Sequence, residues 1–336
     1  MAQLAGLIVL LTLLPVTVFA ALNPADLLRA KPVYTKFKIT SNNQAGEFQR
    51  HKGELRQPDP YGDGELLTRF ELYTVPTSKP APLVLVLAPY RGQTFVDRGY
   101  AEALAQAGIH AAIVAVPKEA YQQEQGIDYI NRFFLRHTIN TRTLAYALQY
   151  DRNSPIKVSR IGLIGTSLGG IRGSILFGID SRFEAAVLII PGGDLPNLIA
   201  NTVLAPISRW RRRLLGIMEG HTPSEEKREI DLEEVTAFEQ RLRPHVQIEP
   251  LDFVRPDSND RLLWVRSKND NFVPRRNQDR LFNAYAAADR KPPAEIDGLP
   301  LGHYATVLAA YLRGKERITD FLTTRLCSSQ GCRTDR

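Results

Sequence analysis

Ile161-Gly162-Leu163-Ile164-Gly165-Thr166-Ser167-Leu168-Gly169 is the stretch whose reading decides the fold. A short apolar run leads into Gly-x-Ser-x-Gly, and Ile171, Ile175 and Ile179 follow at helical spacing. That order predicts a strand, a tight turn and a helix. The glycines remove side chains that would collide with neighbouring backbone, so the serine can occupy a strained turn. Its hydroxyl then stands at the top of a sheet, with the positive end of the next helix aimed at it. Ser167 is a candidate nucleophile; the bland alternative is a Gly-rich turn made only for packing.

The neighbouring segments repeat the theme. Pro82 to Ala88, Ala111 to Val116 and Ala185 to Ile190 are short apolar runs, and Arg261 to Arg266 and Ala294 to Gly298 follow later. Strands apolar on both faces belong in a parallel sheet covered by helices. Tyr100, Ala103, Leu104 and Ala107 mark one helix, stopped by Gly108. Phe134, His137, Thr141, Leu144, Ala145 and Leu148 mark another, and a last helix runs from about Ala305. Before them, Val33 to Ile39 and Leu66 to Val75 alternate with period two around a turn-rich stretch, Gln57 to Gly64, as antiparallel edge strands do. The class is α/β: a mostly parallel, doubly wound sheet with antiparallel N-terminal strands. Ligands bind such sheets at the carboxyl ends of the strands. Residues 195–260 break the rhythm. Trp210, Leu214, Ile217 and Met218 share one helical face, and Leu232, Val235, Phe238 and Leu242 another, which predicts a helical insertion over that end.

A serine hydroxyl needs a base to take its proton. His303 stands just past the strand from Ala294 and before the final helix, where a loop can carry its imidazole toward Ser167. A carboxylate must then orient the imidazole. Asp270, after the strand Arg261 to Arg266, and Asp194, after Ala185 to Ile190, both stand at the right end of the sheet. Turn capping is the bland role for either. A tetrahedral intermediate also needs two backbone N–H donors. Leu168 supplies the first. In Ala88-Pro89-Tyr90-Arg91-Gly92, proline has no N–H, so Tyr90 is nominated for the second. Arg91 could add charge near the oxyanion or a substrate carboxylate, or simply be a solvated loop arginine.

The order Ser167…Asp270…His303 resembles the α/β-hydrolase superfamily, in its serine esterase and lipase-like branch, over about Leu66 to Leu326. The resemblance implies a hydrolase domain over 21–326, with a cap at about 195–260 and a polar tail at 327–336. It favours Asp270 over Asp194, because Asp-x-x-Val-Pro after the penultimate strand is the commoner family arrangement. It departs at the oxyanion loop, where family members often carry His-Gly. The expected activity is cleavage of a carboxylic ester through a Ser-His-Asp triad and an acyl-enzyme, on a small-molecule or lipid ester, with no metal or organic cofactor. A peptidase or thioesterase, or an inactive binding protein, would use the same fold. Gly162, Gly165 and Gly169 also admit a nicotinamide-dinucleotide turn, but Glu184 stands at the start of the next strand, not its end.

The chain has 336 residues, 43% hydrophobic and 24% charged, with net charge +7, values that exclude a disordered or collagen-like chain. No run of five basic residues points to nucleic acid. Arg209-Trp210-Arg211-Arg212-Arg213 could touch an anionic membrane surface, or be a solvated face with the tryptophan packed inward. His137 reads as a core histidine, and His51, His110, His221 and His245 have no convergent partners in sequence. Residues 1–20 read as a signal peptide ending at Val18-Phe19-Ala20, implying a periplasmic or secreted protein. With no Lys or Arg ahead of the apolar core, a membrane anchor is the other reading. No cysteine near the cleavage point supports a lipoprotein. Cys327 and Cys332 would pair in an oxidising compartment, or stand as two exposed thiols.

Overall fold

A computed structural model describes residues 24–62, 64–90, 92–114, 127–204, 207–212, 214, 231–296, 300–327 and 332. The proposed signal or anchor segment, Arg91, Arg213, Ile217, Met218 and His221 therefore lie outside the described residues.

Among the described residues nine strands form one sheet in the order β1-β2-β3-β5-β4-β6-β7-β8-β9. They are β1 (Lys36–Ala45), β2 (Phe48–Pro58), β3 (Glu65–Thr74), β4 (Ala81–Leu87), β5 (His110–Val114), β6 (Val158–Thr166), β7 (Phe183–Ile189), β8 (Leu262–Val265) and β9 (Ala294–Ile296). β1, β2, β3 and β5 pair antiparallel in turn, and from β5 through β4 to β9 every pairing is parallel. The β1–β2 register slips between Ile39 and Ser41.

The helices are α1 (Pro24–Arg29), α2 (Phe95–Gln106), α3 (Tyr129–Tyr150), α4 (Leu168–Ile179), α5 (Leu195–Asn201), α6 (Leu232–Leu242), α7 (Arg275–Asp289) and α8 (His303–Leu326), with a further helical stretch at 207–212. Every residue of β4 is buried, because both faces of the central strands are covered. Val84 and Val86 pack with α2 and α8 residues such as Leu104 and Leu322. Leu83, Leu85 and Leu87 belong to the opposite core, with Leu148, Leu176 and Tyr285. Alternate residues thus feed alternate layers, as a pleated strand requires.

Three expectations need correction. The early strands are antiparallel as expected, but an unread strand, β2, lies between the two that were read, and β1 begins at Lys36 with Val33 left exposed. The expected turn residues do reverse the chain, with Asp59 N–H donating to Gly64 O at 2.9 Å. Leu232 was expected on the buried face of its helix but is 78% exposed. It is the first helical residue after the Asp231 cap, and the inward face begins at Val235 and continues through Phe238 and Leu242. The final helix starts at His303 rather than Ala305, so the histidine opens the helix instead of preceding it. Cys327 and Cys332 form a disulfide at the end of α8.

Candidate active site

Ser167 sits between β6 and α4 with φ 56° and ψ −119°, a left-handed backbone that a serine adopts only where its surroundings hold it. Its N–H donates to Ile189 O at 2.8 Å, and its own carbonyl accepts from Ile171 N–H at 3.0 Å. Both ends of the turn are thereby fixed. The cause of the following glycine is visible: a Cβ on Gly169 would stand 2.0 Å from Leu87 O on the neighbouring strand. Only glycine lets α4 leave the sheet this closely.

Asp270 and His303 meet. His303 Nδ1 and Asp270 Oδ2 are 2.6 Å apart. The other carboxylate oxygen, Oδ1, accepts from the backbone N–H groups of Phe272 at 2.7 Å and Val273 at 2.9 Å. One oxygen is thus held by the loop and the other by the imidazole, so a fully buried carboxylate has its polar needs met. The His303 ring rests against Phe272, with centroids 5.1 Å apart. Ser167, His303 and Tyr90 line one cavity of about 390 Å³ at the carboxyl ends of the strands. No hydrogen bond joins the Ser167 hydroxyl to the imidazole in this state. Such contacts commonly tighten only when substrate is bound.

Asp194 also follows a parallel strand and is also buried, with φ 57°. Its carboxylate pairs with Arg243 at 3.1 Å and with Arg280, away from the imidazole.

The loop nominated for the second oxyanion donor holds a tight turn in which Gly92 N–H donates to Pro89 O at 3.0 Å. The turn carries Tyr90 at the cavity wall. Leu168 opens α4, where backbone N–H groups have no intrahelical acceptor. Sequence reasoning missed Arg172. It is buried on α4, and its guanidinium donates to Ala88 O at 3.0 Å, pinning the strand end from which the loop departs. A lone arginine inside an Ile-rich helix was the available signal.

A second set of missed residues ties the acid loop to the histidine loop. Ser267 Oγ donates to Leu301 O at 2.6 Å, and Thr306 Oγ1 to Ser267 Oγ at 3.0 Å. Gln278 on α7 accepts from Ser267 N–H at 2.8 Å and donates to Val273 O at 2.7 Å. All three side chains are buried. Nothing in their spacing distinguishes them from ordinary loop and helix polar residues.

The remaining candidates are structural in their contacts. Burial holds His137 well below the usual histidine range, aided by the nearby Arg172 and Arg136 charges. His110 accepts from Val75 N–H through Nδ1 at 3.1 Å, and burial pushes it down to about 4. His51 bonds Thr74 at 3.0 Å. In the basic cluster, Trp210 is buried against Tyr129 and Phe238. Arg211 donates to the carbonyls of Ile199, Ala200 and Thr202 at the end of α5. Both are turned into the protein, which leaves Arg209 exposed and Arg212 half-buried. Among the described residues no group of three or more His, Cys, Asp and Glu side chains is arranged to hold a metal ion.

No protein-family model matches the chain, and no curated protein matches it. Solved structures do. A cold-adapted esterase from an Arctic intertidal metagenomic library matches with TM-score 0.51 and 13% identity, over 87% of this chain and all of that one. Acetyl xylan esterase 1 from Thermoanaerobacterium sp. matches with TM-score 0.58 and 14% identity, over 91% of this chain and 92% of that one. A hypothetical protein from Pseudomonas aeruginosa matches with TM-score 0.53 and 14% identity, over 87% of this chain and all of that one. At these identities the likeness is one of architecture, and it agrees with the strand order and the serine turn: the chain has the α/β-hydrolase fold.

Proposed function

We propose that the chain is a serine hydrolase that cleaves carboxylic esters. The observation that carries this reading is the strained Ser167 turn opening into the same cavity as His303, whose imidazole pairs with the buried Asp270 behind it. Several solved structures that share its fold are themselves named as esterases, which agrees with it.

In this reading His303 Nε2 takes the proton of the Ser167 hydroxyl as its oxygen attacks the acyl carbon. Asp270 fixes the imidazole so that Nδ1 carries the hydrogen and Nε2 presents its lone pair, and it stabilises the cation that forms. The N–H groups of Leu168 and Tyr90 receive the negative oxygen of the tetrahedral intermediate. The imidazolium then returns its proton to the departing alcohol. Water, deprotonated by the same imidazole, releases the acid from Ser167. The described part of residues 195–260 supplies Leu195, Leu198, Ile199 and Ile207 to the cavity wall and acts as its cap. An exported location belongs to the same reading and is supported by the Cys327–Cys332 disulfide, a bond that persists in oxidising compartments.

A fluorophosphonate probe tests the nucleophile directly. The native chain should be labelled covalently, and Ser167→Ala should lose all labelling while keeping its circular dichroism spectrum. A folded native chain that takes no label overturns the assignment.

A further inference from the structure

We propose that the ester carries an uncharged, hydrocarbon-rich group, which fills the cavity beside Ser167. This rests on the hydrolase reading above and names the substrate class it serves.

The cavity holds about 390 Å³, within the range that encloses most of a drug-sized molecule and far beyond what an acetyl group occupies. Its depth is walled by Phe133 and Phe134 from α3 and by Leu198 and Ile199 from α5. Among the described lining residues there is no lysine or arginine. The one carboxylate among them, Asp97, caps its own helix through Oδ2, which accepts from Thr94 N–H and Thr94 Oγ1, each at 2.7 Å, while its Oδ1 is buried with no partner among the described residues. A charged or polyhydroxylated group would be stripped of water there and meet few partners. A hydrocarbon loses nothing by the same transfer and gains from it.

The entrance has the same character. Phe95, Tyr304 and Leu308 line the cavity and are 65%, 61% and 40% exposed. Large apolar side chains that are exposed and also line an apolar cavity are of the kind that marks a binding site.

The test uses the full-length chain and two ester series: nitrophenyl esters from acetyl to octanoyl, and acetates of alcohols from ethanol to octanol. Each buried methylene should raise kcat/KM by about fourfold, so the four added from acetyl to hexanoyl should span about 250-fold. A rise along either series supports the proposal and says which side of the ester the cavity takes. Ile199→Trp, which fills the wall, should flatten that rise. Calorimetry with octyl acetate and Ser167→Ala separates the two readings. Octyl acetate binding to that variant, with no hydrolysis by the native chain, would keep this proposal and remove the hydrolase. Hydrolysis that stays flat or falls along both series, with no octyl acetate binding, would remove this proposal and keep the hydrolase. Faster cleavage of an acetylated sugar than of any alkyl ester would also overturn it.

Discussion

Two aspartates, Asp194 and Asp270, stand at the carboxyl ends of adjacent parallel strands, and both are 4% exposed. Their surroundings divide them. Around Asp270 are two backbone N–H groups and one imidazole. Around Asp194 are two half-exposed arginines, Arg243 and Arg280. A group that must orient a titrating ring needs a neutral cradle and one free oxygen; a group saturated by permanent cations only fastens chain to chain. Position along the sheet makes a carboxylate available, and the neighbouring donors decide its use.

Breaking the side of that contrast proposed to be catalytic should have the largest effect. Asp270→Asn should lower kcat about a thousand- to ten-thousand-fold, because the amide no longer selects the imidazole form that can accept a proton at Nε2. Thermal melting should move little by comparison. An Asp270→Asn chain with kcat within tenfold of the native value would erase the distinction.

Glu249 sharpens the other side. It accepts from the N–H groups of Asp194 at 2.7 Å and Leu195 at 2.6 Å, and burial pushes its carboxyl up to about 7. An acid whose proton is held more tightly folded than unfolded contributes most at low pH. That contribution is lost as pH rises from the ordinary carboxyl range to about 7. Denaturant melts at pH 5 and pH 8 should therefore differ by on the order of 2 kcal/mol through this residue. In Glu249→Gln that part of the slope should vanish.

Asp194→Asn should cost about 1–2 kcal/mol of stability, modest because both arginines are half exposed and solvent already screens them. Its turnover of a small ester should stay within about tenfold of native. The smallest effect expected is that of Thr306→Val, about 1 kcal/mol in melting from loss of the hydroxyl that Ser267 Oγ and Leu301 O share as acceptors. Its accompanying signature is a broadened pH–rate profile as the acid and histidine loops loosen against each other.

The same contrast explains what could be read from the sequence. β4, β6 and β7 were legible because burial on both faces demands unbroken apolar runs. β2 was not. Its inward positions include His51, Gly53 and Gln57, so its period of two is written in burial but not in hydrophobicity. Gly53 is small because the Phe70 ring lies across it. α7 escaped notice for a related reason: its buried face mixes Asn277 and Gln278 with Leu281, Phe282 and Tyr285. The three candidate triad residues were legible because each follows a strand in a fixed order. Arg172, Ser267, Gln278 and Thr306 were not, since their value lies in contacts between segments distant in the chain.

The slip between Ile39 and Ser41 on β1 has a consequence for the molecule's life among its own copies. Among the described residues β1 is the outermost strand of the sheet, ten residues long, and a bare edge of that kind invites a second sheet to anneal along it. The irregularity interrupts the row of amides that such annealing needs, and exposed Lys36 and Lys38 set positive charge along the same border. Both are devices that disfavour edge-to-edge annealing, and neither touches the cavity residues at the carboxyl ends of the parallel strands.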